Sequence, residues 1–305
     1  MNSPPHDSRP SPTALSPYYA WSPIIARQPV TWPNGARLAV CFLVALESVD
    51  WVPPTGTYVP PTLKRGDAYP SVPDVHLTSP REYGNRVGIY RVMEVMDRYA
   101  VRASAAIDAG VAEAYPHLVQ ASMDRGWDLI AHGTRSSRMV TEEMGEDEER
   151  RSIAESMHAI AAAAGHNPSG WMGVEYGESS RTVPLLAEAN LRYVCDWPND
   201  EQPYQMSTSK GSLVALPVMA ELDDVHALHV RRWTLGSYTQ MVIDAFDRLY
   251  LDAEAGGRLM VLTVHPWVMG QPFRIRYLER IVQHIVEHEG VWVTTGDEVV
   301  DSYLA

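Results

Sequence analysis

RLAVCFLVAL, at residues 37–46, is a continuous apolar run of strand length. An apolar run without alternation is typical of a strand that is covered on both faces. Shorter runs of the same kind follow at residues 103–107, 127–131, 192–195, 212–218, 258–264 and 291–294. Helical patterns lie between most of them, at residues 87–99, 112–124, 142–164, 182–189, 238–253 and 273–289. This alternation predicts parallel strands with helices outside, in either a barrel or an open doubly wound sheet.

The composition is that of a packed globular protein. The chain has 305 residues, of which 45% are hydrophobic and 21% are charged, and its net charge is −13. A negative balance repels phosphate backbones and anionic lipid, so we expect neither a nucleic-acid nor a membrane partner. The two cysteines, Cys41 and Cys195, lie inside apolar runs, and the N-terminus lacks a signal-peptide pattern. These features favour the cytoplasm.

Prolines concentrate in two stretches of the chain. The first, residues 1–34, is interpreted as an N-terminal arm, and residues 35–305 as a single domain. The second forms a long insertion at about residues 52–82, which by its length favours a functional loop over a passive linker. No glycine-rich dinucleotide or Walker A pattern follows any predicted strand.

Polar side chains stand where several predicted strands end. Glu47 and Asp50 follow the first strand, His132 follows the run at 127–131, and His265 follows the run at 258–264. In a barrel of parallel strands these ends meet at one rim, which is where such barrels keep their chemistry. Imidazole is a general acid or base near neutral pH and also a common metal ligand, so the two histidines leave both roles open.

Other side chains near these strand ends are candidates for substrate binding. Met172 to Ser179, which includes Glu175, is interpreted as a mobile loop over a pocket, although its acids could equally be solvated surface. Indole rings offer flat apolar walls to a planar ligand, although core packing explains them as well. The tryptophans concerned are Trp51, Trp171, Trp197 and Trp267.

Several ordered motifs resemble the polysaccharide deacetylase (NodB-homology) family, and within it the intracellular, allantoinase-like branch. They are NGARLAVCFLVALE (34–47), YGNRVGIYRVMEVMDRY (83–99), AHGTRS (131–136), PSGW (168–171), YVCDWPNDEQPY (193–204) and VHPWVMGQPFRIRYLERIVQHI (264–285). The resemblance implies a distorted (β/α)7 barrel of the TIM-like type. It also implies hydrolysis of an amide-type carbon–nitrogen bond and a homo-oligomer, either a dimer or a tetramer.

The chain departs from the pattern of metal-dependent members at two positions. Ala45 stands where they carry an aspartate base, and Ser136 stands where they carry the second histidine ligand. Glu47 and His132 remain as ligands, with Asp50 as a substitute, whereas a zinc site normally has three protein ligands. The resemblance also assigns Arg86 to the catalytic site, His265 to the departing group and Asp196 to the substrate pocket.

The leading hypothesis is therefore a hydrolase of a small amide, cyclic imide or ureide that works without a tightly bound metal. Glu47 or His132 activates water, His265 donates a proton to nitrogen, and Arg86 holds the oxyanion. One alternative is a zinc-dependent N-deacetylase of an acetylated amine or sugar. Another is a non-catalytic homologue that binds a ligand.

Overall fold

The structure is a computed structural model that describes residues 15–52, 54 and 73–305. Its described strands form one sheet in the order β6-β7-β5-β4-β3-β2-β1-β8, and β9 pairs with the first half of β1. The strands are β1 (Leu38–Leu46), β2 (Ser104–Ile107), β3 (Asp128–Ala131), β4 (Gly170–Trp171), β5 (Tyr193–Val194), β6 (Tyr204–Thr208), β7 (Gly211–Ala215), β8 (Arg258–Val264) and β9 (Val291–Thr294).

All pairings between these strands are parallel except the β6–β7 hairpin. The two ends of the sheet, β6 and β8, are not paired with each other, so the described strands do not form a closed barrel. Single hydrogen bonds cross that gap, from Met219 N–H to the Val261 carbonyl and from Leu259 N–H to the Glu201 carbonyl. The predicted α/β architecture is confirmed, with a sheet that curls without a continuous ladder.

Ten helices surround the described part of the sheet. They are α1 (Val75–Tyr83), α2 (Ile89–Arg98), α3 (Ala109–Ala114), α4 (Pro116–Met123), α5 (Glu146–Ala164), α6 (Thr182–Glu188), α7 (Leu235–Asp252), α8 (Pro266–Met269), α9 (Ile275–Val286) and α10 (Gly296–Leu304). The sequence sets both ends of helix α5: four acidic residues in the first turn interact favourably with the helix dipole, and Gly165 ends the helix with a φ of 81°.

Strand β1 is buried on both faces, as its continuous apolar run predicts. Phe42 and Val44 pack with the helices in the larger hydrophobic cluster. Cys41, Leu43 and Ala45 pack in a smaller cluster on the opposite face. Because side chains alternate along a strand, the position of one residue determines the face of every second residue after it.

One predicted helix needs correction, and the end of the predicted insertion contains a helix. The single helix predicted at 112–124 is divided between α3 and α4, because Pro116 has no N–H with which to continue the first helix. The insertion predicted at about 52–82 ends in α1, which Asp74 begins by accepting hydrogen bonds from the His76 and Leu77 N–H groups. Residues 53 and 55–72 of that insertion, and residues 1–14 of the predicted arm, lie outside the described residues.

The described part of the arm runs along the sheet. Tyr18 and Tyr19 meet the Trp197 ring edge-on, with centroids 6.1 and 5.9 Å away. Arg27 forms an ion pair with Asp200 at 2.6 Å. Within the described ranges, no helix combines the length and the apolar character that crossing a bilayer requires.

Candidate active site

Three strand ends deliver the central side chains of the candidate site. Glu47 lies two residues beyond Ala45, and His132 lies two residues beyond Ile130, both of which belong to the smaller hydrophobic cluster. His265 lies four residues beyond Val261, a residue of β8 that belongs to the same cluster, so it too is an even number of residues from a member of that cluster. The alternation of side chains therefore turns all three into the interior at the carboxyl ends of the strands, where all three are buried.

Glu47 is held by an indole and by positive charges. Trp267 Nε1 donates to its Oε2 at 2.9 Å, and Arg81 Nε lies 3.8 Å from the same oxygen. The Arg81 guanidinium stacks on the Trp267 ring, 4.2 Å from its centroid. Burial alone would raise the pKa of Glu47, but the positive charges of His265 and Arg81 outweigh it and hold that pKa well below its usual range. Glu47 is therefore a carboxylate at neutral pH.

His132 has one nitrogen engaged and one free. Its Nδ1 lies 2.7 Å from the Met172 carbonyl oxygen, which can only accept, so Nδ1 carries the proton. Its Nε2 is buried, has no hydrogen-bond partner among the described residues, and lies 3.7 Å from Glu47 Oε1. In the neutral imidazole that nitrogen presents a lone pair to the interior of the site.

His265 belongs to a cluster with two aspartates. Its Nδ1 donates to Asp224 Oδ1 at 2.6 Å, its backbone N–H donates to Asp224 Oδ2 at 2.9 Å, and Asp223 Oδ2 lies 4.0 Å from Nδ1. Burial lowers the pKa of His265, but Asp224, Asp223 and Glu47 outweigh it and raise that pKa to about 10. His265 is therefore an imidazolium, a charged acid, at neutral pH.

These groups enclose a cavity of about 20 Å³. That is room for about one water molecule. The residues that line it are Glu47, His132, Met172, Gly173, Glu175, Tyr176, Asp223, Val225, His226 and His265.

Two residues of the turn Val174–Tyr176, Glu175 and Tyr176, line one side of the cavity. The Tyr176 hydroxyl donates to Asp223 Oδ2 at 2.8 Å. Glu175 and Tyr176 both have positive φ, 54° and 58°. Left-handed backbone in residues other than glycine is strained and concentrates at functional sites. The segment predicted as a mobile loop is thus a tight turn at the cavity.

The resemblance raises the question of whether the site residues could bind a catalytic metal. Glu47 and His132 offer one oxygen and one nitrogen, but in the described part of the chain no third metal-binding side chain groups with both of them. Asp223, Asp224 and His265 form a separate group, in which one potential ligand atom of each lies within 4.8 Å of the other two. Glu47 and His132 together are one ligand short of a zinc site with three protein ligands.

Two predicted residues are used for structure instead. Asp50 accepts hydrogen bonds from Ser137 and from both Nε and Nη2 of Arg138, each at 2.9 Å, so it is not free to serve as the substitute ligand. Ser136 donates its hydroxyl to the Ser48 carbonyl at 2.8 Å. Both contacts tie the segment after β3 to the segment after β1.

Three further predicted residues lie away from the cluster. Arg86 is exposed, and Arg81, one and a half helical turns earlier, reaches Glu47 instead. Trp171 is fully buried under the helices, because its position on β4 faces the larger hydrophobic cluster. Trp51 has 57% of its surface exposed and makes no part of the cavity wall.

Asp196 and Glu178 form a pair of buried acids, and Trp197 donates a hydrogen bond to Glu178. Asp196 Oδ1 accepts from the Gly173 N–H at 2.7 Å, and Trp197 Nε1 donates to Glu178 Oε1 at 3.0 Å. Burial raises the pKa of Glu178 to about 7. Burial, together with the Glu178 charge, also raises the pKa of Asp196 well above its usual range. This pair fixes the backbone of the turn that lines the cavity.

Sequence reasoning missed Arg81, Asp223, Asp224 and Tyr176. The adjacent pair Asp223-Asp224 could have been found, since it follows the strand-like run at 212–218 as the other polar residues follow theirs. Arg81 had no such signal, because it lies on a helix inside a proline-rich stretch.

Comparisons with known proteins agree with this architecture. Residues 81–194 match the family model for polysaccharide deacetylase. A protein of Schizosaccharomyces pombe (strain 972) that is assigned as a polysaccharide deacetylase is 25% identical over 298 residues, which cover 90% of this chain and 92% of the relative.

Two crystal structures share the fold. One, from Pseudomonas aeruginosa PAO1 and assigned as a polysaccharide deacetylase, has a TM-score of 0.79 at 24% identity, over 89% of this chain and 92% of that one. The Puue allantoinase structure has a TM-score of 0.79 at 22% identity, with the same coverage of 89% and 92%. Family model, relative and fold agree on one resemblance: this chain is similar to polysaccharide deacetylases, and residues 81–194 match the model of that family.

Proposed function

We propose that this protein hydrolyses a carbon–nitrogen bond of a small cyclic imide or ureide, with water activated by side chains. Polysaccharide deacetylases, which this chain resembles, are hydrolases of carbon–nitrogen bonds other than peptide bonds. The observation that carries the finer proposal is the arrangement of His132 Nε2, Glu47 and the His265–Asp224 pair around a cavity of about 20 Å³.

His132 is the better of the two candidate bases. A general base works best when its pKa lies near the operating pH. The pKa of Glu47 is held far below that point by the surrounding positive charges, so its carboxylate is a weak base. His132 Nε2 has its lone pair free, and Glu47 Oε1 at 3.7 Å is placed to accept the second hydrogen of a water between them.

The reaction follows from these positions. The water oxygen bonds to the carbonyl carbon while His132 Nε2 takes its proton. The His265 imidazolium stabilises the negative charge that develops on the carbonyl oxygen, and its proton passes to the nitrogen as the carbon–nitrogen bond breaks. Asp224 holds the imidazolium in place at 2.6 Å. His132 then releases its proton to solvent and His265 takes up a proton from solvent, which restores the neutral imidazole and the imidazolium.

The donor set also bears on the substrate. A metal lowers the pKa of its bound water by many units, and side chains supply less activation. Strained or activated carbonyls, such as those of cyclic imides and ureides, need less activation of the attacking water. Entry of any substrate requires the walls of so small a cavity to move, and the strained turn Val174–Tyr176 is the wall best suited to do so.

The test is a hydrolysis panel of cyclic imides, ureides and N-acetylated amines and sugars, run after EDTA treatment and again with added Zn²⁺. We expect turnover of an imide or ureide that survives EDTA. Turnover confined to N-acetyl compounds and abolished by EDTA would replace this proposal with a metal-dependent deacetylase. Asp97→Asn is the control variant for this panel and should hydrolyse the same compounds as the unaltered chain, because Asp97 is an exposed acid paired with Arg125 at 3.1 Å.

A further inference from the structure

A second cluster of potential ligands lies between two outer helices. Asp247 is on α7, His284 is on α9, and His288 lies one turn later, just beyond the end of α9. One ligand atom from each of the three lies within 4.8 Å of the other two. His284 Nε2 and Asp247 Oδ1 are 2.7 Å apart, and all three side chains are partly exposed.

The two imidazoles are oriented before any ligand arrives. His288 Nδ1 lies 2.7 Å from the His284 carbonyl oxygen, so it is the donor and leaves Nε2 with its lone pair. The Phe246 ring packs edge-on against both, with centroids 5.4 Å from His284 and 5.0 Å from His288. A hydrogen bond from the second ring nitrogen to a carbonyl is the usual support of a metal-binding histidine.

We propose that Asp247, His284 and His288 form a site for a zinc-like divalent transition metal. Two imidazoles four residues apart and one carboxylate are ligands that Zn²⁺ prefers, whereas Ca²⁺ and Mg²⁺ prefer oxygen ligands alone. Partial exposure leaves a fourth position for water. The metal replaces the proton between His284 and Asp247 and links α7 to α9, without any part in the hydrolytic reaction.

The experiment uses the full chain, stripped with EDTA and titrated with ZnCl₂ by calorimetry near pH 7.5. We expect His284→Ala and His288→Ala to lose one equivalent of bound Zn²⁺ or to bind it more than about tenfold more weakly. Asp247→Asn keeps an oxygen for His284 and so preserves the fold, but it too should weaken binding. His158→Ala, an exposed histidine on α5, is the matched control and should bind as the unaltered chain does.

Thermal unfolding supplies a second measurement that is independent of hydrolysis. Added Zn²⁺ should raise the Tm of the unaltered chain and of His158→Ala, and should leave the Tm of His284→Ala unchanged. Mg²⁺ should raise none of them. Equal Zn²⁺ stoichiometry and affinity in all four variants, or an equal loss in His158→Ala, would overturn the site.

Discussion

Asp224→Asn is expected to change the charge state of His265 while the shape of the site stays nearly the same. The environment raises the pKa of His265 from the ordinary 6.5 to about 10 although burial opposes the charge. At ~1.36 kcal/mol per pH unit that difference is about 5 kcal/mol in favour of the imidazolium. Asp224 contributes the shortest contact, 2.6 Å, so its loss should return the pKa to 6.5 or below.

The effect on turnover should grow with pH. With a pKa of about 10 the unaltered enzyme keeps His265 charged at both pH 7.5 and pH 9. With a pKa near 6.5 the variant would have about one tenth of its His265 charged at pH 7.5 and less than about one three-hundredth at pH 9. We therefore expect kcat to fall about tenfold at the lower pH and about 300-fold at the higher.

Stability should change with the same sign. A histidine with a raised pKa stabilises the fold fully below about pH 6.5, and that contribution is lost as the pH rises through the folded-state value. The free energy of unfolding should therefore fall between pH 7 and pH 9 in the unaltered protein more steeply than in Asp224→Asn. The assays are a pH–rate profile, an NMR titration of His265, and urea unfolding at three pH values. Identical pH–rate profiles for the variant and the unaltered enzyme would refute the assignment of His265 as the charged acid.

Three further substitutions test other parts of the site. His132→Gln should lower kcat by about 10²–10⁴ with little change in KM, because it removes the base; a drop below tenfold in steady-state assays would contradict that role. Arg81→Ala should reduce kcat/KM more than Arg86→Ala does, since Arg81 Nε lies 3.8 Å from Glu47 while Arg86 is exposed; the reverse order would contradict the placement. Glu178→Gln should flatten the stability profile, because an acid whose folded pKa is raised to about 7 stabilises the fold below about pH 4.5 and loses that contribution as the pH rises to about 7. Urea unfolding at pH 5 and pH 8 measures the loss of unfolding free energy between these pH values, which should be larger in the unaltered protein than in Glu178→Gln by about 2 kcal/mol. An equal loss in both proteins would count against the buried acid pair.

Apolar runs were sufficient to locate most of the sheet. The runs at 258–264 and 291–294 coincide with β8 and β9, and the run at 37–46 contains β1. The two-residue strand β4 and the hairpin strand β6 escaped notice. The first is too short to show a period, and the second is only partly buried, so hydrophobicity does not mark it.

Glu47, His132 and His265 could be grouped from the sequence because each follows the end of a predicted strand. Parallel strands end at one edge of the sheet, and alternate side chains share a face. The same alternation places Trp171 in the larger hydrophobic cluster and so outside the candidate site. The sequence could not show this, because it does not tell which face of β4 points to the interior. Asp50 looked free in the sequence, but Arg138, 88 residues later, occupies it.

The amino-acid sequence by itself determined the alternation of strands and helices, the polar residues that end the strands, and the presence of Ala45 and Ser136 where the family pattern has a base and a metal ligand. These are local properties, which composition and period express directly. Only the tertiary structure decided that Arg81 lies beside Glu47 while Arg86 is exposed, that His265 is charged, and that His132 Nε2 has no hydrogen-bond partner among the described residues. Each of these depends on groups from distant parts of the chain, because a pKa and a hydrogen bond are set by the atoms that folding places nearby.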